Sequence, residues 1–145
     1  MTPPDFSLYL ITDALFFRRQ NVETLLRATI DNGVTAIQIR EKSCSQEEFL
    51  SLAIRAKAAV ANTSCTLIVN DRLDIAVAID ADGIHLGEDD VPWWVARQAL
   101  GPQKIIGLSV ESLPTLAYAQ SGDIAYFGVS SVFRSNTKTN QKTIW

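Results

Sequence analysis

The chain has 145 residues, 47% hydrophobic and 20% charged, with a net charge of −3. That length and composition suit one globular domain with a real core, and the acidic balance argues against general affinity for nucleic acid or anionic membrane. Cys44 and Cys65 lack CxxC spacing, which argues against a zinc site or disulfide framework, and no apolar run approaches the ~20 residues of a membrane span. Met1–Thr2–Pro3–Pro4–Asp5 lacks a basic and apolar signal pattern, which points to a cytoplasmic protein.

Leu8 to Thr12 is a short apolar run suited to a strand buried on both faces. Asn21 is placed to cap a helix whose face is Val22, Leu25, Leu26, Thr29 and Ile30, and Gly33 to end it in a left-handed conformation. Ala36 to Arg40 reads as the second strand. Ser45 and Glu48 form a capping box ahead of Phe49, Leu52, Ala53, Ala56 and Val60 at helical spacing. Thr66 to Val69 is the third strand, followed by a short helix from about Leu73 to Ile79. Gly83 to Leu86 is the fourth strand. Pro92 fits the first turn of the next helix, and Gly101–Pro102 stops it. Lys104 to Leu108 is the fifth strand. Ser112 caps a helix over Leu113 to Gln120, and Ile124 to Val129 is the sixth strand. Beyond Phe133 the chain turns polar. Six strands alternating with five helices predict parallel βαβ units in one α/β domain.

The strands end in polar residues, and α/β proteins gather ligands at the carboxyl ends of parallel strands. Gln38, Arg40 and Lys42 are two apart and share one face, opposite Ile37 and Ile39. A parallel strand is normally covered on both sides. The polar face therefore belongs either to a barrel lumen opening onto a site or to a solvated edge strand. Asn70 and Asp71 fit either caps of the next helix or ligand groups, and the same choice holds for Asp90. Two acids at adjacent strand ends suit Mg²⁺, which binds oxygen ligands and substrate phosphates together. His85, the only histidine, is either a packed, hydrogen-bonded residue or a catalytic one. Trp93 and Trp94 cannot share a helix face, so at least one is expected to pack against the barrel. Gly107 permits close packing and Ser109 presents a hydroxyl at a strand end. Ser135, Thr137 and Lys138 form either an anion cradle or a plain polar tail.

The matching stretches run in order from about residue 8 to residue 138. They are Tyr9–Asp13, Gln38–Lys42, Asn70–Asp74, Ala81–Gly87, Asp90, Ile106–Ser109, Phe127–Val129, Val132–Phe133 and Thr137–Lys138. In order and spacing they resemble the thiamine phosphate synthase (thiamine-phosphate pyrophosphorylase) family. The resemblance implies a TIM (β/α)8 barrel and a Mg²⁺-dependent transferase of thiamine biosynthesis. The family joins hydroxymethylpyrimidine diphosphate to a thiazole phosphate, giving thiamine phosphate and diphosphate. By resemblance, Arg40, Lys42 and Lys138 contact the diphosphate and stabilise the transition-state charge, while Asp71 and Asp90 hold Mg²⁺. Gln38, Asn70 and Ser109 complete the pyrimidine diphosphate site, and Ser135 and Thr137 face the thiazole phosphate. No residue acts as a nucleophile.

The chain departs from the family pattern at Glu88, Glu111, Ser130–Ser131 and Arg134–Ser135. Glu111, where a thiazole tautomerase would want histidine, argues against that reading. Asp71 and Asp90, with Gln38, Arg40 and Lys42, argue against another phosphate-binding barrel. A complete barrel holds eight βα units and typically ~250 residues. The six strands therefore predict an incomplete barrel, its N-terminal three-quarters in one domain over residues 1–145, left by truncation. On that reading activity is impaired or lost, and the chain is either a weakened enzyme or a binding module that keeps pyrimidine diphosphate. The first and sixth strands would be open edges that invite self-association.

Overall fold

A computed structural model describes residues 4–13, 21–120, 122–129 and 132. Within them six strands alternate with five helices: β1 (Tyr9–Ile11), α1 (Val22–Asp31), β2 (Ala36–Ile39), α2 (Gln46–Val60), β3 (Thr66–Asn70), α3 (Leu73–Ala78), β4 (Gly83–Leu86), α4 (Trp93–Leu100), β5 (Ile105–Val110), α5 (Leu113–Ala119) and β6 (Tyr126–Val129). The strands form one sheet in the order β1-β2-β3-β4-β5-β6, and every pairing is parallel. This is the expected α/β alternation. The eight-stranded closure of a full barrel is not part of the described residues.

Local chemistry sets most helix boundaries. The Ser45 hydroxyl accepts from the Glu48 N–H at 3.2 Å, and the Ser45 N–H donates to the Glu48 carboxylate at 2.8 Å, so both halves of the capping box form. Gly33 ends the turn after α1 at φ 98°, and Ser112 accepts from the Thr115 N–H at the start of α5. The expected Asn21 cap does not form through its side chain. Asn21 sits at φ 80°, whereas a capping side chain needs an extended backbone to reach back to the helix N–H groups.

The two faces of the sheet have different fates. Leu10, Ile37, Ile39, Leu67, Val69, Ile84, Leu86, Ile106 and Leu108 join the core with helix residues such as Val22, Leu26, Phe49 and Leu52. Their alternates, among them Tyr9, Gln38, Asn70, His85, Gly107, Ser109 and Tyr126, therefore face the concave side. Concavity follows from one contact. Six strands lying flat at ~4.8 Å spacing would separate β1 from β6 by about 24 Å. Yet the hydroxyls of Tyr9 and Tyr126 are 2.7 Å apart, so the sheet curls into a partly closed barrel with these side chains in its lumen. β2 is paired on both sides and all four of its residues are buried, which removes the edge-strand reading of Gln38.

The amino end of the sheet is fastened by Arg97, in the last turn of α4. Its guanidinium donates to the carbonyls of Gly101, Lys104 and Asp123 at 2.8, 2.6 and 2.9 Å and pairs with the Asp123 carboxylate at 3.2 Å. Lys57 and Lys104 both reach Asp80 on the same end.

Candidate active site

Among the described residues, the polar positions singled out from the sequence lie on or just past the carboxyl ends of β2, β3, β4 and β5. Thr12, buried just past β1, organises the first of these ends. Its hydroxyl donates to the Gln38 carbonyl at 3.3 Å and accepts from the Arg40 N–H at 3.0 Å. That fixes the chain leading to Arg40, whose side chain is half-buried, and to Lys42, which is exposed.

Lys42 Nζ lies 3.3 Å from Asp71 Oδ2. Asp71 leaves β3 through a tight turn at φ 62°, in which the Arg72 N–H donates to the Asn70 carbonyl at 2.7 Å and the Asp71 N–H donates to the His85 carbonyl at 2.9 Å. A left-handed aspartate is uncommon and strained, and here it aims the carboxylate across the mouth rather than along the next helix. Asp90 Oδ2 accepts from the Gly87 N–H at 2.6 Å, so the loop after β4 folds around its own carboxylate. Partial burial raises the Asp90 pKa above the ordinary carboxylate value. The neighbouring Asp71 raises it further by contact and repulsion, while the Gly87 N–H and the Lys42 ammonium oppose both. The helix-capping reading of these acids fails: α3 begins after Arg72 and α4 after Pro92, each with no side-chain cap.

The acid pair fits Mg²⁺ on its chemistry. Two carboxylates that repel each other are relieved by a shared cation. Among the described residues no group of three or more histidines, cysteines and carboxylates forms an all-protein cage. Mg²⁺ suits such a sparse set because it keeps several waters and takes further oxygens from substrate phosphate.

Below the mouth the lumen is polar and internally bonded. Gln38, only 2% exposed, donates from Nε2 to the Tyr9 hydroxyl at 2.9 Å. His85 Nδ1 is 3.1 Å from the Tyr126 hydroxyl, and His85 Nε2 is 2.9 Å from the Ser109 hydroxyl. The His85 and Tyr126 rings stack with centroids 5.5 Å apart. Gly107 stands between them in the register, paired with His85 on one side and Tyr126 on the other. A β-carbon there would lie 2.1 Å from Tyr126 Cζ, so the missing side chain is what admits the phenol. Burial pushes the His85 pKa down to about 4, against a smaller upward pull from Asp90, which leaves the imidazole neutral. His85 is thus packed and hydrogen-bonded. The sequence pattern alone assigns no site role to Tyr9, Tyr126 or Thr12. Period two along β1 and β6 marks the face that Tyr9 and Tyr126 occupy, and the β5–β6 register then sets Tyr126 opposite Gly107.

Asn70 is buried at the end of β3, and Ser109 is half-buried near the end of β5. Beside Asp90 and Ser109 opens a cavity of about 440 Å³, walled by Trp93, Trp94, Leu108 and Tyr118. Trp93 packs against the core while Trp94 is 47% exposed, the division of labour expected of adjacent tryptophans. Ser135, Thr137 and Lys138 lie outside the described residues. No helix among those residues is long and apolar enough to cross a membrane.

Residues 8–144 match the family model described as thiamine monophosphate synthase. The chain is 45% identical over 143 residues to the thiamine-phosphate synthase of Vibrio parahaemolyticus, covering 97% of this chain and 68% of that protein. It is 41% identical over 140 residues to the thiamine-phosphate synthase of Caldanaerobacter subterraneus, covering 97% of this chain and 65% of that protein. Among solved structures, the thiamine phosphate pyrophosphorylase from Pyrococcus furiosus superposes with a TM-score of 0.75 at 32% identity, over 89% of this chain and 62% of that one. The chain thus spans about two thirds of the length of these relatives.

Proposed function

The chain belongs to the thiamine monophosphate synthase family of transferases, and we propose that its strand-end cluster binds hydroxymethylpyrimidine diphosphate with Mg²⁺ and promotes departure of the diphosphate. The observation that carries this reading is the pairing of Asp71 with Asp90 at adjacent strand ends, with the Lys42 ammonium 3.3 Å from Asp71. In the proposed reaction the bond from the pyrimidine methylene carbon to the diphosphate oxygen breaks. The electron pair leaves with diphosphate, and the thiazole nitrogen supplies the pair for the new carbon–nitrogen bond. The charge to be stabilised therefore grows on the leaving oxygens, so fixed cations rather than a nucleophile are what the site must supply. Arg40 and Lys42, and Lys138 from the later loop, fill that role. Asp71 and Asp90 hold Mg²⁺, which supplies Lewis-acid stabilisation of the departing diphosphate when bound. Gln38, Asn70 and Ser109 line the pyrimidine side, and Ser135 and Thr137 face the thiazole phosphate.

Titration calorimetry of the 145-residue chain with hydroxymethylpyrimidine diphosphate, with and without Mg²⁺, tests the reading. Binding should require Mg²⁺ and be lost in Asp71→Asn. Equal binding by that variant overturns the metal assignment. A coupling assay with the thiazole phosphate then separates turnover from binding alone. The same proposal extends to assembly. β1 and β6 each have one unpaired edge among the described residues, and self-association through them would register in light scattering.

A further inference from the structure

The cavity beside Asp90 lies behind the lumen, between the outer face of the sheet and helices α4 and α5, since Leu108 and Ala119 of its wall belong to the core. At about 440 Å³ it has room for one small molecule. Its aromatic walls stand nearly at right angles to one another. The Trp93 and Trp94 rings meet at 90° with centroids 5.9 Å apart, and the Trp94 and Tyr118 rings meet at 80° and 6.1 Å. Perpendicular rings set both faces and edges around one space, which is the arrangement of an aromatic cage. Two charged side chains line the same cavity, Glu88 and Asp90, and both are acids; no lysine or arginine among the described residues joins them. Glu88 is tied across from the loop after β4 to α5. The Thr115 hydroxyl donates to Glu88 Oε1 at 2.8 Å, and the Ser112 hydroxyl, 2.8 Å from Thr115 Oγ1, is then left to donate to Thr115. A neutral donor thus fixes this carboxylate and leaves its charge uncancelled.

We propose that this cavity is a binding site for a flat organic cation, of the class in which a ring nitrogen carries an alkyl group and a fixed positive charge. The aromatic faces attract such a charge through their quadrupoles, and the acids add a Coulomb term that repels phosphate and other anions. The ring fills the apolar walls, which a hydrated metal ion would leave uncovered. A fully alkylated nitrogen has no N–H to satisfy, so it gives up no hydrogen bond on entering. The carbon–nitrogen bond of the reaction proposed above turns a neutral thiazole nitrogen into a cation of this class. The site itself does not rest on that reading, because its aromatic walls and Glu88 lie outside the lumen.

The probes are 1-methylquinolinium and quinoline, the latter neutral in mildly alkaline buffer, titrated into the 145-residue chain without Mg²⁺ or phosphate compounds. The cation should bind roughly tenfold more tightly than the neutral ring. Equal affinities, or no binding of the cation, overturn the proposal. The Trp94 indole N–H, identified as the NMR signal missing from Trp94→Leu, should shift as the cation is added, and an unmoved signal places any binding elsewhere and overturns it too. Trp94→Leu and Tyr118→Leu each remove a wall at a position about half exposed, where the fold tolerates change. Each should weaken the cation by about fivefold, and unchanged affinity in both refutes the cage. Glu88→Gln keeps an acceptor for the Thr115 hydroxyl and removes only the charge. It should weaken the cation by about threefold and leave quinoline unchanged; an equal loss for both probes would make Glu88 a packing residue and refute the charge selection. None of these readings involves pyrimidine diphosphate, so failure of that ligand to bind sinks the substrate reading alone, and failure of the cation sinks the cage alone.

Discussion

Tyr9 on the first strand and Tyr126 on the sixth meet hydroxyl to hydroxyl at 2.7 Å, their rings edge-on with centroids 5.7 Å apart. Phe6 packs on both rings, 5.5 Å from Tyr9 and 4.8 Å from Tyr126. The two ends of a six-stranded sheet are thus fastened by three aromatic side chains. Tyr9→Phe and Tyr126→Phe should each destabilise the chain by about 1–2 kcal/mol, because each leaves a buried partner short of a bond. A double-mutant cycle read by urea unfolding should show a coupling of about 1 kcal/mol. Strict additivity would mean that the contact does not hold the sheet closed.

Gly107→Ala puts a β-carbon 2.1 Å from Tyr126 Cζ. The phenol has little room to retreat, since it is stacked on His85 and bonded to Tyr9. Overpacking of this kind should cost about 1–3 kcal/mol in chemical denaturation. In a Tyr126→Ala background the same substitution should cost well under half as much, because the clashing ring is gone. An equal cost in both backgrounds would place the penalty in the strand backbone instead.

His85 makes stability depend on pH. Its pKa is about 4 in the folded chain against 6.5 ordinarily, with burial as the cause and Asp90 the charge that opposes it. Between those values the unfolded chain binds a proton that the folded chain does not. The contribution is therefore complete above pH 6.5, falls as the pH drops, and is gone below about 4. Its full size is about 3 kcal/mol. Urea midpoints followed from about pH 7 to about pH 4.5 should decline in the parent chain and stay flatter in His85→Asn. Parallel declines would assign the effect to carboxylates.

Asp71 trades backbone comfort for chemistry. At φ 62° glycine would be relaxed and asparagine tolerated. Asp71→Gly should leave stability unchanged or raise it by up to about 1 kcal/mol, and Asp71→Asn should be near neutral. Both should weaken Mg²⁺-dependent binding of pyrimidine diphosphate at least tenfold, by roughly 1.4 kcal/mol or more. A variant that loses stability by more than about 1 kcal/mol would show that the carboxylate has a structural role in the turn.

The parts of this fold that depend on local chemistry were legible in the sequence. Ser45 with Glu48, Ser112 and Gly33 each satisfy a helix end with atoms a few residues away, and all three act as read. So was the acid pair, because Asp71 and Asp90 follow adjacent apolar strands. Asn21 was misread because its letter fits a cap while its backbone does not. The lumen network was missed for a different reason. Period two tells that Tyr9, Gln38, His85 and Tyr126 share a face, but not how tightly the sheet curls. Only curvature brings β1 within a hydroxyl's reach of β6. Gln38 and Ser109 were singled out for a ligand, and the partners they have inside the lumen came from strands far away in sequence.

The Arg97 clamp carries a lesson about tolerance to change. One guanidinium ties the carbonyls of Gly101, Lys104 and Asp123 at the amino end of the sheet, while Lys42, Asp71 and Asp90 sit on loops at the opposite end. Structural wiring and reactive groups therefore occupy separate poles. Lineages can rewrite the loops at one pole, and so explore new substrates, without loosening the knot at the other.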